Sequence, residues 1–191
     1  MLRTFDDIYE TMPWDAVDAV VFDVGQVLLS YNPQEILDEH VPDRPDLHPI
    51  LLEKIFRSPY WLMRDHGLMT RDEPLRPYIT RVMHNWVDLK KVLPEGLKTL
   101  QSCKAHGKKV YVLSNYADDA FAVVEHKYDF FNLFDAKFVS GRLKLMKPSE
   151  QIFQYVISAT GHEPSRVLFL DDTPGNVEGA LFCGWQSLCV S

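Results

Sequence analysis

No stretch of this chain approaches the ~18 consecutive apolar residues that a membrane-crossing helix requires, so no membrane span is expected. Its first residues, MLRTFDDIYETMPWD, carry acids where an export signal would have an apolar segment. Cysteine is scarce: Cys103, Cys183 and Cys189 form no CxxC pair, and an odd number does not close a disulfide framework. Asn-x-Ser/Thr acceptors are absent too. Together these point to buried free thiols in a reducing cytoplasm. Basic charge is also in short supply, with 20 Lys and Arg against 27 Asp and Glu and a formal net charge of -7. Nucleic acid is thereby excluded as the main partner, because phosphate backbones need a basic face. A small anion in a locally positive pocket is not excluded. Internal repeats and low-complexity segments are lacking as well. A monomer or weak homodimer is the expected state.

What is present is an ordinary globular composition, 46% hydrophobic and 25% charged over 191 residues. That length holds one good core, or one core with a smaller appended unit. Ala19 to Phe22 is an apolar run that delivers a single aspartate, Asp23, with Gly25 two residues later. Pro94 to His106 reads as a helix, with Pro94 in its first turn, Leu97 and Leu100 on one face, and Gly107 at its C-terminal cap. Lys109 to Leu113 is a β-branched strand ending at Ser114-Asn115, and a helix follows from about Ala117 to His126. Ala136 to Val139 is a short strand; after Lys147-Pro148 a helix carries Ile152, Val156 and Ile157 as far as Gly161. Val167 to Leu170 is a strand ending at Asp171-Asp172, its helix lies near Val177 to Phe182, and Ser187 to Val190 is the last strand. Strands alternating with helices imply βαβ units and a mostly parallel sheet, hence an α/β fold. Strands this apolar suit a sheet covered by helices on both faces.

The segment from Pro33 to about Leu93 is different. It has no convincing strand, is rich in aromatics and charges, and shows helical patterns such as Ile50-Leu51-Lys54-Ile55 and Ile79-Val82-Met83-Trp86. It reads as a small helical unit inserted after the first strand, because a structureless connection of that length would be unusual.

In a parallel sheet the carboxyl ends of the strands share one edge, where ligands bind. Three strands end in polar groups there: Asp23, Ser114-Asn115 and Asp171-Asp172. Lys147, on a loop just before a helix, reaches the same edge. Each has a plain alternative: Ser114 and Asn115 as helix N-caps, Lys147 as a solvated charge, Asp171 and Asp172 as acids at a helix N-terminus. As a set they suggest phosphoryl transfer to a carboxylate, with Asp23 as nucleophile, Ser114 holding phosphate oxygens and Lys147 neutralising charge. Several carboxylates close to phosphate call for a hard cation, Mg²⁺. Gly25 would let the backbone turn sharply and present its carbonyl to that ion.

These motifs, FDVGQVL, VLSN, KP and FLDDTPGNVEGA in that order, resemble those of the haloacid dehalogenase-like superfamily, in the branch with a small helical cap after the first motif. The resemblance extends to sugar-phosphate phosphatases and to the phosphatase domain associated with some epoxide hydrolases. It implies a Rossmann-like core over residues 1–32 and 94–191, with a helical cap over 33–93 that shields the site and selects the substrate. It implies catalysis by Asp23, Ser114 and Lys147, with Asn115 also binding substrate. It further implies Mg²⁺ on Asp23, the Gly25 carbonyl and Asp172, with Asp171 nearby or bridging through water. Within the cap, Trp61, Arg64 and His66 are candidate substrate contacts. The expected partner is a small-molecule phosphate ester, a sugar phosphate among the candidates. One departure stands out: the family usually places a second aspartate, the general acid/base, where this chain has Gly25. Its job would then fall to the metal, to a cap residue such as His66, or to a leaving group that needs little help. Halide displacement from a haloacid, and phosphate or partner binding without catalysis, are the rival functions.

Overall fold

A strand that alternates apolar and polar residues buries one face; β1 (Ala19–Phe22) is apolar throughout and buried at every position, so it must lie inside a covered sheet. The computed structural model, which describes residues 12–57, 78, 81–82 and 89–190, has that sheet. With β1 stand β2 (Lys109–Ser114), β3 (Ala136–Val139), β4 (Val167–Asp171) and β5 (Gln186–Cys189). The order is β3-β2-β1-β4-β5, and every neighbouring pair is parallel. Because successive side chains point to opposite faces, each strand feeds two cores. Val20 and Phe22, with Val110, Val112, Leu168 and Leu170, join the cluster on one face. Ala19 and Val21, with Tyr111, Leu113, Val167 and Phe169, join the cluster on the other.

Helices cover both clusters. α1 (Pro33–His40) and the short α2 (His48–Leu51), which continues as a π-helical turn over Leu52–Phe56, belong to the segment expected to be helical. Asn32 caps α1 by accepting from the Gln34 and Glu35 amides at 3.0 and 3.3 Å. Ile36, Leu37, Leu51 and Ile55 pack into the same apolar cluster as β1. On that face too, α3 (Pro94–Ala105) contributes Leu100 and Cys103, and α4 (Asp118–Lys127) contributes Phe121 and Val124. After α5 (Ser140–Leu143), a single turn, α6 (Glu150–Thr160) and α7 (Pro174–Phe182) close the opposite face with Ile152, Phe153, Val156 and Ala180. Phe153 sits edge-on to Phe169 and Trp185, with ring centroids 5.9 and 5.4 Å away. Truncating it to alanine would cost about 3–5 kcal/mol.

Several boundaries differ from the expectation for physical reasons. α7 begins at Pro174 rather than near Val177, because a proline costs nothing in a helix's first turn. β4 includes Asp171, whose carbonyl accepts the Val190 amide at 3.0 Å, so the carboxylate belongs to the ladder. The single turn α5 has too few residues to show a period. The last strand starts one residue early, at Gln186, and ends at Cys189. From β1 the chain builds outward to β2 and β3 on one side, then returns to lay β4 and β5 on the other. The strand order therefore reverses at β1, and the carboxyl ends of β1 and β4 flank the crevice this creates.

Candidate active site

Asp23 immediately follows β1, and its amide donates to the Leu170 carbonyl at 2.9 Å. The ladder thus runs one residue beyond Phe22 and sets the carboxylate at the rim. Lys147 bridges it to β4: its Nζ lies 2.9 Å from Asp23 Oδ1 and 2.6 Å from Asp171 Oδ2. The reading of Lys147 as a solvated charge is wrong, since the residue is 2% exposed. Asn115 holds the lysine's backbone from both sides. Its Nδ2 donates to the Lys147 carbonyl and its Oδ1 accepts the Lys147 amide, each at 2.9 Å. Neither Ser114 nor Asn115 caps a helix, because α4 starts at Asp118 after Ala117.

The two adjacent aspartates have different surroundings. Asp171 is fully buried. Its Oδ1 accepts from the Thr173 amide at 2.8 Å and from Asn176 Nδ2 at 3.0 Å. Its Oδ2 accepts from Lys147 and, at 3.2 Å, from Asn176. Each oxygen has two lone pairs, so Asp171 would have to surrender a bond to ligate an ion. Asp172 accepts a longer 3.4 Å bond from the Thr173 hydroxyl and lines the adjoining cavity. Of the pair, Asp172 is the one placed to ligate directly.

Asp23, Asp171 and Asp172 each offer an oxygen within 4.8 Å of the others. Burial pushes the Asp23 carboxyl above its usual range, Lys147 pulls it down, and the Asp171 charge pushes it up again. Burial, then the charges of Asp23 and Asp171, push Asp172 to about 6. For Lys147, burial works against the charged form, but the two carboxylates outweigh it and hold the ammonium protonated. Among the described residues two buried lysines, Lys147 in contact with Asp23 and Asp171 and Lys90 elsewhere on the cavity, face three acids, so negative charge is left uncompensated. An all-oxygen donor set of this kind fits a hard divalent cation.

The cavity beside these groups has a volume of about 410 Å³ and is lined by Asp23, Gly25, Ser114, Asn115, Lys147 and Asp172 among the residues expected from sequence. Asp171 stands behind them rather than on the wall. Trp61, Arg64 and His66 lie outside the described residues. The expectation for Gly25 needs correction. The left-handed residue of this turn is Gln26, at φ 53°, and a Cβ built on Gly25 would meet nothing closer than Asp23 Oδ2 at 3.9 Å. Neither backbone angle nor crowding requires glycine there.

Sequence reasoning gave no role to Asn176, five residues beyond Asp171, or to Lys90. Lys90 also lines the cavity. It is 6% exposed, and burial lowers its pKa to about 8 despite the charge of Asp23. A Lys-Lys pair before VLPEG carries no spacing that separates a buried lysine from a surface one.

Known proteins resemble this chain in fold and in sequence. A HAD family enzyme from Bacteroides thetaiotaomicron, solved with magnesium and inorganic phosphate, superposes with a TM-score of 0.67 at 21% identity, covering 91% of this chain and 93% of that one. A sesquiterpene phosphatase from Aspergillus oryzae is 23% identical over 180 residues, 89% of this chain and 88% of that protein. A drimenol cyclase from Aspergillus calidoustus is 28% identical over 188 residues, which are 90% of this chain but 34% of the cyclase, so the chain spans about a third of that relative's length. The family model for haloacid dehalogenase-like hydrolases matches residues 17–184, a span that takes in all five strands except the last and every side chain of the carboxylate–lysine cluster, and the chain belongs to that family.

Proposed function

We propose that the protein is a Mg²⁺-dependent phosphomonoesterase that works through an aspartyl-phosphate on Asp23. The observation that carries this reading is the Lys147 ammonium shared between Asp23 and Asp171 at 2.9 and 2.6 Å, beside Asp172. Lys147 and the Ser114 hydroxyl orient the Asp23 carboxylate for attack on phosphorus and meet the charge of the phosphate oxygens. Asn115 positions Lys147. Asp23, the Gly25 carbonyl and Asp172 would hold the ion, with Asp171 fixing the lysine behind them. When bound, Mg²⁺ supplies positive charge to the phosphate oxygens and to the crowded carboxylates.

Residues 33–93 serve as the helical cap over a core of 1–32 and 94–191, and the substrate enters between them. Tyr31, Tyr116 and Met146 give the cavity apolar walls next to the reacting end. With relatives that include a sesquiterpene phosphatase and a drimenol cyclase, the phosphate of an apolar isoprenoid alcohol becomes a candidate substrate beside a sugar phosphate. Cys103, Cys183 and Cys189 are free thiols, which supports a reducing compartment such as the cytoplasm.

The test is phosphate release from sugar, isoprenoid and aryl monophosphates, with Mg²⁺ and with chelator, for the native protein and Asp23→Asn. Turnover is expected only with the ion, and a fall of several orders of magnitude in the folded variant. Substantial activity in Asp23→Asn would overturn the covalent mechanism. Chloride release from 2-chloropropionate in chelator would favour haloacid chemistry instead.

A further inference from the structure

We propose that Lys90 protonates the departing oxygen, doing the work that no side chain at Gly25 can do. The inference rests on the phosphatase reading above and assigns one more residue to that site.

The chain leaving the first motif and the chain returning to α3 are zipped together. The Ser30 amide donates to the Lys91 carbonyl at 2.8 Å, and Leu93 donates to Leu28 at 2.9 Å. The Lys91 amide donates to Ser30 Oγ at 2.9 Å, and the Tyr128 hydroxyl donates to the Lys90 carbonyl. Lys90 therefore sits on fixed backbone, and its side chain runs into the cavity that holds Asp23 and Lys147. Its Nζ donates to the Ser30 carbonyl at 3.1 Å and lies 4.9 Å from the Tyr31 ring centroid and 5.8 Å from that of Tyr116.

The two cavity lysines are tuned in opposite directions. Lys147 is clamped by two carboxylates that keep it charged, which suits charge compensation and not proton exchange. Lys90 faces the charge of Asp23, the Tyr31 and Tyr116 rings, and across a small cleft Glu35, whose carboxylate is engaged with Lys91 at 2.7 Å. Burial outweighs these groups and brings its pKa to about 8, close to where an acid–base group works best at neutral pH.

The proton count closes. As Asp23 forms its bond to phosphorus, the ester P–O bond breaks and its electron pair stays on the leaving oxygen. That oxygen takes a proton from the Lys90 ammonium and departs as the alcohol. The neutral amine then takes a proton from the water that attacks the aspartyl-phosphate. The P–O bond to Asp23 breaks, the carboxylate returns, and inorganic phosphate leaves with Lys90 again an ammonium.

The experiment compares native protein, Lys90→Gln and Lys90→Arg on phosphate monoesters graded from 4-nitrophenyl to simple alkyl. Lys90→Gln should lose about 10²–10⁴-fold in kcat on alkyl esters and less than about tenfold on 4-nitrophenyl phosphate, where the leaving group needs little help. The alkaline limb of the native pH profile, near pH 8, should vanish. Lys90→Arg keeps the charge but cannot release a proton, so it should not rescue the alkyl esters. NMR titration of the lysine side chain in metal-free native protein, assigned by Lys90→Arg, should give a midpoint near 8 whether or not Lys90→Gln folds. Equal loss across the series, full rescue by arginine, or a midpoint at the ordinary lysine value would each overturn the assignment while leaving the phosphatase intact. A native protein that hydrolyses none of the esters would overturn both.

Discussion

Asp172→Asn isolates the electrostatic cost of the acid cluster. In the metal-free protein Asp172 has its pKa raised from 3.8 to about 6, first by burial and then by Asp23 and Asp171. A carboxyl whose pKa is higher folded than unfolded binds its proton more tightly in the native state. It leaves stability untouched below the unfolded value and subtracts from it as pH rises through the folded one. At pH 7.5 the full difference would be about 3 kcal/mol for an enclosed group. Asp172 opens onto the cavity, so solvent screening reduces this to about 1 kcal/mol. Asparagine keeps the shape and removes the charge. In chelator at pH 7.5 the variant should melt about 2–4 °C above the native protein, as expected for roughly 1 kcal/mol in a chain of this size. The gap should close by about pH 4, below which both side chains are neutral. Added Mg²⁺ should raise the native melting temperature more than the variant's, narrowing or reversing the order. Thermal unfolding followed by circular dichroism across pH, with chelator and with Mg²⁺, measures all three effects. A variant less stable than native in chelator at pH 7.5, or a gap that does not change with pH, would refute the reasoning.

Lys147→Met should have the opposite sign. It strips the shared cation from two buried carboxylates, at a cost of about 3–5 kcal/mol at pH 7.5. Because Lys147 lowers the Asp23 pKa, its loss raises that pKa further, so the deficit should shrink as pH falls; an unfolding midpoint unchanged at pH 7.5 would show the ammonium is not needed. Gly25→Asp should fold, since its Cβ has 3.9 Å of room and no left-handed φ to strain. It should bring alkyl-ester turnover back toward native levels in a Lys90→Gln background, and kinetics of the double variant no better than Lys90→Gln would sink the idea that both positions serve one proton.

The fold was legible because the central strands β1, β2 and β4 are short, carry apolar runs that face both sides and are bounded by glycine, proline or a polar cluster. Those features come from local chemistry, and β1 and β3 follow the expected limits. The lysine of KP and the acids at the strand ends were legible for a related reason: a charge that interrupts an apolar pattern at a strand terminus has few places to go. Lys90 was not legible. Its burial depends on the pairing of residues 28–30 with 91–93, a contact across some sixty residues that no periodicity encodes. Gly25 misled for the opposite reason. Glycine after a nucleophile usually implies a backbone need, yet the turn takes its left-handed residue at Gln26, so the missing side chain at 25 is a chemical absence and not a conformational one.

The divided roles of Asp171 and Asp172 follow from where β4 ends. Phe22 pairs with Leu170, so continuing that register by one residue sets Asp23 opposite Asp171. The two carboxylates are then cross-strand neighbours, an arrangement that like charges destabilise. Lys147 is the compensation, and its clasp by Asn115 holds the ammonium where both carboxylates can reach it. Asp171 remains in the ladder, pairing with Cys189, and the Thr173 amide and Asn176 occupy its remaining oxygen sites. Asp172 is the first residue past the strand. It has left the ladder, and its carboxylate faces the cavity. Two identical neighbours thus become a buried anchor and a half-buried acid on the cavity wall because one backbone pairing stops between them. Had β4 ended at Leu170, as the apolar run suggested, both acids would have reached the rim, and Lys147 would have lost the partner that fixes it.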